Sequence, residues 1–311
     1  MPYAPSRDCA HKEPRTWSTD LTIGMPISLS FPSRTTVRRY LAFVLPATLG
    51  MPVSVVVWER SEVFFLERFS GLVQVGYYSL AYTVFSMVLM LGWALINGFY
   101  PAMSRDYGAG DWRRIQEKLS QGILLGALYA VPLTFGGWAT IDGLISLLYG
   151  DKMLPAVSIA RVLLASLVPG VLSGLLGILV LATGRVWLSL TTSVALCAVN
   201  IALDLILIPR YAALGAAFAS TMSQLAYAAV LFAVVVRLYH VRLPWQKLLG
   251  IVGSGAITTF LLPATLELWI PGVGGLVTAI VLGAAVYLVV VGRCGHLRIL
   301  FPNVAADYGL G

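Results

Sequence analysis

Charged side chains are scarce in this sequence. Asp, Glu, Lys and Arg make up 11% of its 311 residues, whereas hydrophobic residues make up 58%. An ordinary soluble domain carries about 25% charged residues, so this composition is atypical of soluble enzymes and of nucleic-acid-binding domains. The sequence indicates an integral membrane protein with no nucleic-acid partner.

Cysteine and histidine are equally sparse. The three cysteines, Cys9, Cys197 and Cys294, lie far apart, and so do the three histidines. Such spacing supports neither a disulfide framework nor a zinc-binding motif. The sequence therefore predicts no bound metal and no cofactor.

Motifs that carry bond chemistry are also missing. The chain has no paired Asp motif, no helical His/Glu motif and no Gly-x-Ser-x-Gly. A membrane transferase would need such groups to activate a sugar phosphate. We therefore expect no catalytic residues and a protein that is not an enzyme.

Long apolar runs are what the sequence does contain. A hydrocarbon core about 30 Å thick takes roughly 20 residues per helix, and no run alternates as a barrel strand would. We expect an all-α polytopic membrane protein with about eight transmembrane helices. The predicted spans are about 37–66, 74–99, 119–148, 155–183, 186–208, 214–238, 246–270 and 273–293. They form one transmembrane domain, 37–298, between a disordered cytoplasmic tail, 1–36, and a cytoplasmic C-terminal tail, 299–311.

The positions of the basic residues predict the orientation. With the N-terminus inside, thirteen of the 21 Lys and Arg fall in inner segments and three in outer loops. Cytoplasmic loops of membrane proteins carry such an excess of Lys and Arg. We therefore predict a multi-pass protein of the inner membrane with both termini in the cytoplasm.

Five charged residues interrupt the apolar stretch "VVVWERSEVFFLERFSG": Glu59, Arg60, Glu62, Glu67 and Arg68. Glu59 and Glu62 share one face of a helix at i and i+3, and Arg60 lies about 100° away. An ionisable side chain at the bilayer centre costs about 2.5–3.5 kcal/mol, so such groups usually line a pathway or meet a partner. The cluster either borders a polar cavity or lies among the lipid headgroups, and we favour the cavity.

Other polar residues stand alone inside predicted spans. Arg161 could bind the phosphate of an anionic substrate, or it could pair with a carboxylate on a neighbouring helix. Asn200 and Asp204 lie one turn apart on a common face. We expect these two to form polar contacts between helices rather than to bind a ligand.

Four segments together resemble a known family: "WERSEVFFLERFSGLVQVGYYSLAY", "YPAMSRDYGAGD", "LATGR" and "LIPRYAALGAAFAS". Their order and spacing are similar to the second half of the oligosaccharide (Wzx-type) flippases, the polysaccharide-biosynthesis exporters of the MATE-like superfamily. The resemblance covers roughly residues 37 to 298. It implies a fold that corresponds to the second lobe of a MATE-like transporter.

The resemblance also implies a function and a set of site residues. The protein would flip a polyprenyl-diphosphate-linked oligosaccharide for surface or exopolysaccharide synthesis. Arg60 and Arg161 would attract the diphosphate, and Glu59 and Glu62 would tune or gate that site. The alternatives are a MATE-like drug or cation exporter, an integral-membrane enzyme of envelope assembly, and a scaffold that transports nothing.

One departure from the family pattern concerns length. Family members usually have twelve to fourteen spans, whereas here the motif typical of the second lobe follows a tail of only about 35 residues. Of three explanations, we favour a truncated reading of a longer gene. The other two are a chain that associates with a second lobe or copy, and a degenerate protein without transport. Other expected partners are membrane lipids and polysaccharide assembly proteins.

Overall fold

The structure is a computed structural model that describes residues 61–241 and 244–266, together with residues 34, 48, 278, 281–283, 285 and 287. The chain divides into two compact units, Met1–Leu41 and Ala42–Gly311. Arg34 is the described residue of the first unit, and every helix named below lies in the second. No strand occurs among the described residues, which confirms the all-α prediction.

The helices of the second unit follow one another with short connections. In chain order they are α1 (61–70), α2 (Leu72–Asn97), α3 (Phe99–Gly108), α4 (Trp112–Tyr149), α5 (Pro155–Leu164), α6 (Leu167–Ala182), α7 (Val186–Tyr239) and α8 (Trp245–Leu266). A 3-10 turn, Asp151–Met153, connects α4 to α5.

Four helical stretches of the described chain are long and apolar enough to cross a membrane. They are Leu72–Gly108, Trp112–Tyr149, Pro155–Ala182 and Val186–Tyr239. They overlap the spans predicted from about residue 74 to residue 238. The spans 37–66 and 273–293 lie largely outside the described residues, so the total of eight stays a prediction.

The centre of the described bundle is the α5–α6 stretch, the most buried of the four. Helix α6 packs against α2, α3, α4 and α7. Its residues Leu167, Val171, Leu175 and Leu179 recur every four positions and are fully buried. This spacing puts them on nearly one face of the helix, where they fill the core between the neighbouring helices.

Small residues allow α2 and α6 to approach closely. A Cβ atom added at Gly174 would lie 3.0 Å from the Ile96 side chain and 3.1 Å from the Trp93 ring nitrogen. The Trp93 ring nitrogen also donates a hydrogen bond to the Gly170 carbonyl at 3.3 Å. Close contact through Gly is typical of membrane helices, which associate mainly by packing.

Helix α7 is a hairpin of two helices. At Ala212 the backbone leaves helical geometry, with φ 50° and ψ −130°. The two ends of α7 lie together, because the hydroxyls of Thr183 and Tyr239 are 2.6 Å apart and the Arg185 guanidinium lies 5.5 Å from the Tyr239 ring centroid. The chain therefore reverses direction at Ala212.

The reversal at Ala212 contains almost no loop. A Cβ atom added at Gly215 would lie only 2.2 Å from the Leu207 carbonyl oxygen. Real Cβ atoms do not approach a backbone oxygen so closely, so the turn requires Gly at this position. The hairpin fixes the first half of α7, which carries the polar residues described next.

Candidate functional site

Two of the four predicted site residues can be placed. Glu62 lies in α1 and Arg161 in α5, whereas Glu59 and Arg60 lie outside the described residues. The proposed roles of Glu59 and Arg60 remain predictions. Glu62 and Arg161 are in very different surroundings.

Glu62 is buried at the start of the described part of α1. Its exposed fraction is 1%, whereas Glu67 and Arg68, one to two turns later on the same helix, are exposed. Position 62 therefore faces the interior of the bundle, and the end of α1 faces the surroundings. A carboxylate in this position needs polar partners, because an unpaired buried charge is strongly destabilising.

The first half of α7 supplies these partners. Asn200 and Asp204 are one helical turn apart and each has an exposed fraction of 0%. The Asn200 side-chain amide donates to Glu62 Oε1 and to Asp204 Oδ2, both at 3.3 Å. The amide thereby links a carboxyl group of α1 to one of α7, as expected for a polar contact between helices.

A second link comes from Ser61. Its hydroxyl lies 3.3 Å from Glu62 Oε2 and 3.3 Å from Asp204 Oδ2. We call the four residues Ser61, Glu62, Asn200 and Asp204 the acidic cluster. The cluster brings two carboxyl groups together in the interior with one amide and one hydroxyl as donors.

The polar atoms of the acidic cluster are incompletely satisfied. Asn200 Oδ1 and Asp204 Oδ1 are buried and have no hydrogen-bond partner. The ion pairs seen among the described residues involve neither Glu62 nor Asp204. Buried unsatisfied oxygens next to carboxylates are expected to bind a positively charged or hydrogen-donating species, since otherwise they lose hydration without compensation.

The atoms of the acidic cluster that could ligate a cation are all oxygens, and this determines which ions the cluster can bind. The part of the chain that the structure describes contains no group of three or more His, Cys, Asp or Glu suited to a metal ion. Carboxylate, amide and hydroxyl oxygens suit a hard cation or a proton rather than a zinc ion. The acidic cluster could therefore hold a small cation of low charge.

Arg161 is already paired. Its Nη2 donates to Asp142 Oδ1 at 2.6 Å and to Asp142 Oδ2 at 2.8 Å, and its Nε donates to the Trp138 carbonyl at 3.3 Å. The guanidinium lies 5.0 Å from the centroid of the Trp138 ring. Of the two interpretations of Arg161, the ion pair with a neighbouring helix is the one present in this structure.

The Arg161–Asp142 pair is also half-exposed. The exposed fractions of the two side chains are 34% and 52%. The hydrogen bonds of Arg161 seen in the structure all lead to α4, and none reaches the acidic cluster. The structure therefore groups Glu62 with Asn200 and Asp204, and not with Arg161.

Sequence reasoning missed this grouping. The family resemblance placed Glu62 with Glu59, Arg60 and Arg161, and the sequence analysis treated Asn200 and Asp204 separately. The available signal was Asn200 and Asp204, an i, i+4 pair of polar residues in an otherwise apolar helix. Such a pair indicates that a polar partner lies on another helix. The sequence alone does not reveal that the partner is Glu62.

Comparison with known proteins identifies a family. The profile of the family described as "Lipid II flippase MurJ" matches residues 21–285, which is more than half of the chain. No curated protein matches the chain. The family found is thus not that of the Wzx-type oligosaccharide flippases, and these matches do not support that finer assignment.

Solved structures show the same fold. A lipid II flippase MurJ in an inward closed conformation matches with a TM-score of 0.71 and 16% identity, over 88% of this chain and 57% of that chain. An outward-facing multidrug resistance MATE family transporter of the MOP superfamily matches with a TM-score of 0.58 and 20% identity, over 83% and 65%. A MOP superfamily transporter from Pyrococcus furiosus matches with a TM-score of 0.58 and 19% identity, over 86% of this chain and 66% of that chain.

These matches confirm a MATE-like transporter fold and an integral, multi-pass membrane protein. At such low identity, the structures establish the fold alone. The chain spans less than two thirds of the length of each of these three proteins.

Proposed function

The chain belongs to the lipid II flippase MurJ family, and from this membership and the acidic cluster we propose that it moves a lipid-linked, anionic headgroup across the membrane. The proposed substrate is lipid II, which the family name indicates. A polyprenyl-diphosphate-linked oligosaccharide of surface polysaccharide synthesis is the second candidate. Both combine an apolar chain with a polar head, and both require the same kind of path.

The physical problem is the headgroup. A charged sugar phosphate cannot cross hydrocarbon without a polar path, whereas its lipid tail can stay in the bilayer. The protein therefore needs a hydrated, charged interior and two alternating arrangements of its helices. No bond is made or broken in this process, which agrees with the expectation that the protein is not an enzyme.

The observation that carries the proposal is the acidic cluster. It joins α1 to α7 through Glu62, Asn200 and Asp204 in the interior of the bundle. A positive charge taken up there would reduce the repulsion between the two carboxylates and hold the two helices together. Release of that charge would loosen the contact, so ion uptake could drive the alternation.

We propose a monovalent cation as the species taken up. A carboxylate can be neutralised by a proton without further ligands. The unpartnered Asn200 Oδ1 next to the unpartnered Asp204 Oδ1 offers an additional oxygen ligand, which a proton does not require. Uptake of a proton instead is an outcome that the experiments below distinguish.

The headgroup site is a separate part of the proposal. Arg60 is the remaining candidate to attract the diphosphate, with Glu59 beside it. Arg161 could take part only by exchanging the Asp142 carboxylate for a phosphate oxygen. Because the chain spans only 57% of the matched MurJ structure, we propose that helices of a second lobe or of a second copy form the opposite wall of the path.

The experiment that tests the proposal is complementation in cells depleted of their own lipid II flippase. The full chain carrying both Glu62→Gln and Asp204→Asn should reduce lipid II at the outer face at least tenfold relative to the unmodified chain. The matched control is Glu117→Gln, because Glu117 is an exposed carboxylate on α4 that pairs with Arg113. Normal flipping by the double variant would contradict the proposal.

The substrate classes are separated in the same cells. Failure to restore lipid II flipping, together with loss of a surface polysaccharide on deletion of the native gene, would favour the oligosaccharide. A MATE-like cation exporter is a second candidate function, supported by the acidic character of the cluster and by the MATE structures. Export of an organic cation without any effect on lipid-linked precursors would favour it.

A further inference from the structure

Three junctions between helices meet at one end of the bundle: the turn from α3 to α4, the turn from α6 to α7, and the end of α7. Aromatic rings connect them, because the centroids of Tyr107 and Trp112 lie 5.8 Å apart and those of Trp112 and Tyr239 lie 5.5 Å apart. The Tyr239 hydroxyl lies 2.6 Å from the hydroxyl of Thr183, which follows α6. Together with Arg185, the three aromatic residues form what we call the aromatic-basic patch.

Arg185 is the exposed cation of the patch. Its guanidinium lies 5.5 Å from the Tyr239 ring centroid, and its side chain forms no ion pair with any described residue. A guanidinium over an aromatic face keeps its N–H groups at the edge, where two of them can donate to one phosphate. Arg161 also lies against an aromatic ring, but its N–H groups already donate to Asp142. Arg185 therefore has the donors that Arg161 has used.

The patch lies where the membrane-spanning stretches end. The stretch Leu72–Gly108 ends one residue after Tyr107, the next stretch begins at Trp112, and Val186–Tyr239 begins directly after Arg185. Tyr107 and Trp112 are 41% and 44% exposed. Tyr and Trp are enriched at both membrane–water interfaces, where their rings lie at the level of the lipid headgroups. The ends of the spans therefore place Arg185 at the depth of the phospholipid phosphates.

The charges around the patch favour an anion. The segments 99–118, 183–187 and 237–241 contain six Lys and Arg but three Asp and Glu. An excess of basic residues at a membrane surface attracts anionic lipids. The opposite end of the bundle offers a comparison, because Arg210 is exposed at the bend of α7 but contacts no aromatic ring in the described part of the chain. The combination of a cation, a ring beneath it and a basic surrounding belongs to Arg185.

We propose that the aromatic-basic patch binds an anionic phospholipid, with the Arg185 guanidinium donating to two oxygens of its phosphate and Tyr239 holding the guanidinium in place. Tyr107 and Trp112 contact the glycerol and the first part of the acyl chain, which a free phosphate lacks. The bound lipid joins the two ends of α7 to the start of α4, so it stabilises this end of the bundle. The inference does not depend on the proposed function, since it concerns a lipid that stays in its leaflet.

The test counts lipids bound to the purified full chain. The chain in detergent is titrated with dioleoylphosphatidylglycerol and, in parallel, with dioleoylphosphatidylcholine, and the bound lipids are counted by native mass spectrometry. The unmodified chain should bind its first phosphatidylglycerol at least about fivefold more tightly than its first phosphatidylcholine. Arg185→Gln should reduce this preference about fivefold, which is the contribution of one basic residue at an anionic membrane surface.

Arg210→Gln is the matched control, because it makes the same chemical change at an exposed Arg next to an exposed Tyr211. Its preference for phosphatidylglycerol should stay within about twofold of the unmodified chain. The inference is overturned if Arg185→Gln keeps the preference, if both variants lose it equally, or if the unmodified chain has none. Inorganic phosphate should not displace the bound lipid, and displacement at millimolar phosphate would show a site for free anions instead.

A second measurement keeps the proposal testable if Arg185→Gln folds poorly. A 5-fluorotryptophan placed at position 112 leaves Arg185 and Tyr239 intact, and its fluorine resonance should move when phosphatidylglycerol is added but not when phosphatidylcholine is added. A resonance that responds equally to both lipids, or to neither, would contradict the assignment. Failure of lipid II flipping in cells, together with selective phosphatidylglycerol binding, would reject the proposed function and leave this inference standing.

Discussion

The acidic cluster and the Arg161–Asp142 pair are both polar contacts between helices, but they differ in burial and in completeness. The pair is half-exposed and has two strong hydrogen bonds between opposite charges. The cluster is buried, joins two carboxyl groups, and leaves two oxygens without partners. A contact whose polar atoms all have partners holds helices together. A buried contact with unpartnered oxygens can in addition bind a cation or a hydrogen donor.

The difference also explains which contact is the better candidate for function. An exposed ion pair is worth about 0–1 kcal/mol, so it stabilises little and its loss is tolerated. Buried carboxylates without full compensation cost several kcal/mol, and chains retain them mainly where they are used. From this difference we propose Glu62 and Asp204 as the functional pair, and the substrate-binding role of Arg161 stays a prediction.

The largest predicted effect is at the hairpin that presents the cluster. Gly215→Ala places a Cβ 2.2 Å from the Leu207 carbonyl oxygen, so the two halves of α7 must separate. We expect destabilisation of more than about 3 kcal/mol and loss of the monodisperse protein in size-exclusion chromatography. Gly136→Ala is the control, because a Cβ there meets nothing within 4 Å. Equal yields of the two variants would contradict the assigned turn.

The next effect tests the cluster itself. Asn200→Leu keeps the branching at Cγ but removes the amide that donates to both carboxyl groups. We expect a loss of about 2–3 kcal/mol in the free energy of unfolding, because two buried charged acceptors lose their donor. Asn97→Leu, at an exposed position near the end of α2, is the control and should change little. If Asn200→Leu changes stability as little as Asn97→Leu does, the Asn200 hydrogen bonds do not stabilise the cluster.

A smaller effect is expected at the Arg161–Asp142 pair. Arg161→Ala should cost about 1 kcal/mol or less, since both side chains of the pair are partly exposed. The exchange of Arg161→Asp with Asp142→Arg should recover most of that loss in thermal unfolding. Lipid II flipping should remain near the level of the unmodified chain. A loss of flipping without a loss of stability would instead return Arg161 to the headgroup site.

The smallest effect is the response to salt. The Debye length falls from about 10 Å at 0.1 M to 3 Å at 1 M ionic strength, which weakens exposed pairs more than buried ones. The coupling energy between Arg161 and Asp142, measured in a double-mutant cycle, should therefore decrease toward zero in choline chloride. The effect of Asn200→Leu should be unchanged over the same range. A salt-sensitive cluster would show that it is hydrated and not buried.

Much of the fold follows from the sequence. Apolar runs of about 20 residues mark α2, α4 and both halves of α7, because a chain in lipid must form its hydrogen bonds within each helix. The division of α7 was predicted, because the predicted spans 186–208 and 214–238 leave residues 209–213 between them, a segment that contains Pro209 and Arg210. The sequence could not show that the turn has no loop, since this depends on the approach of Gly215 to Leu207.

The roles of the predicted site residues stay predictions, but the structure shows contacts that the sequence could not indicate. Glu62 was identified because a charged side chain in an apolar helix costs free energy. That argument holds whether or not the partner of the side chain is known. For Arg161 the residues left two alternatives open, a phosphate ligand or an ion pair, and only the structure shows that its partner is Asp142, 19 positions earlier on another helix. Which of two ionisable residues is already paired depends on tertiary contacts, and spacing along one helix carries no information about them.

The reversal at Ala212 has a consequence for how the protein can be probed. Pro209, Arg210 and Tyr211 are the exposed residues at this bend, so very little polypeptide projects there. Antibodies, proteases and bulky labelling reagents therefore find almost no target at this point of the surface. An epitope tag inserted into the bend would separate the two helices of the hairpin. The segment between α4 and α5 offers several exposed positions for such a tag.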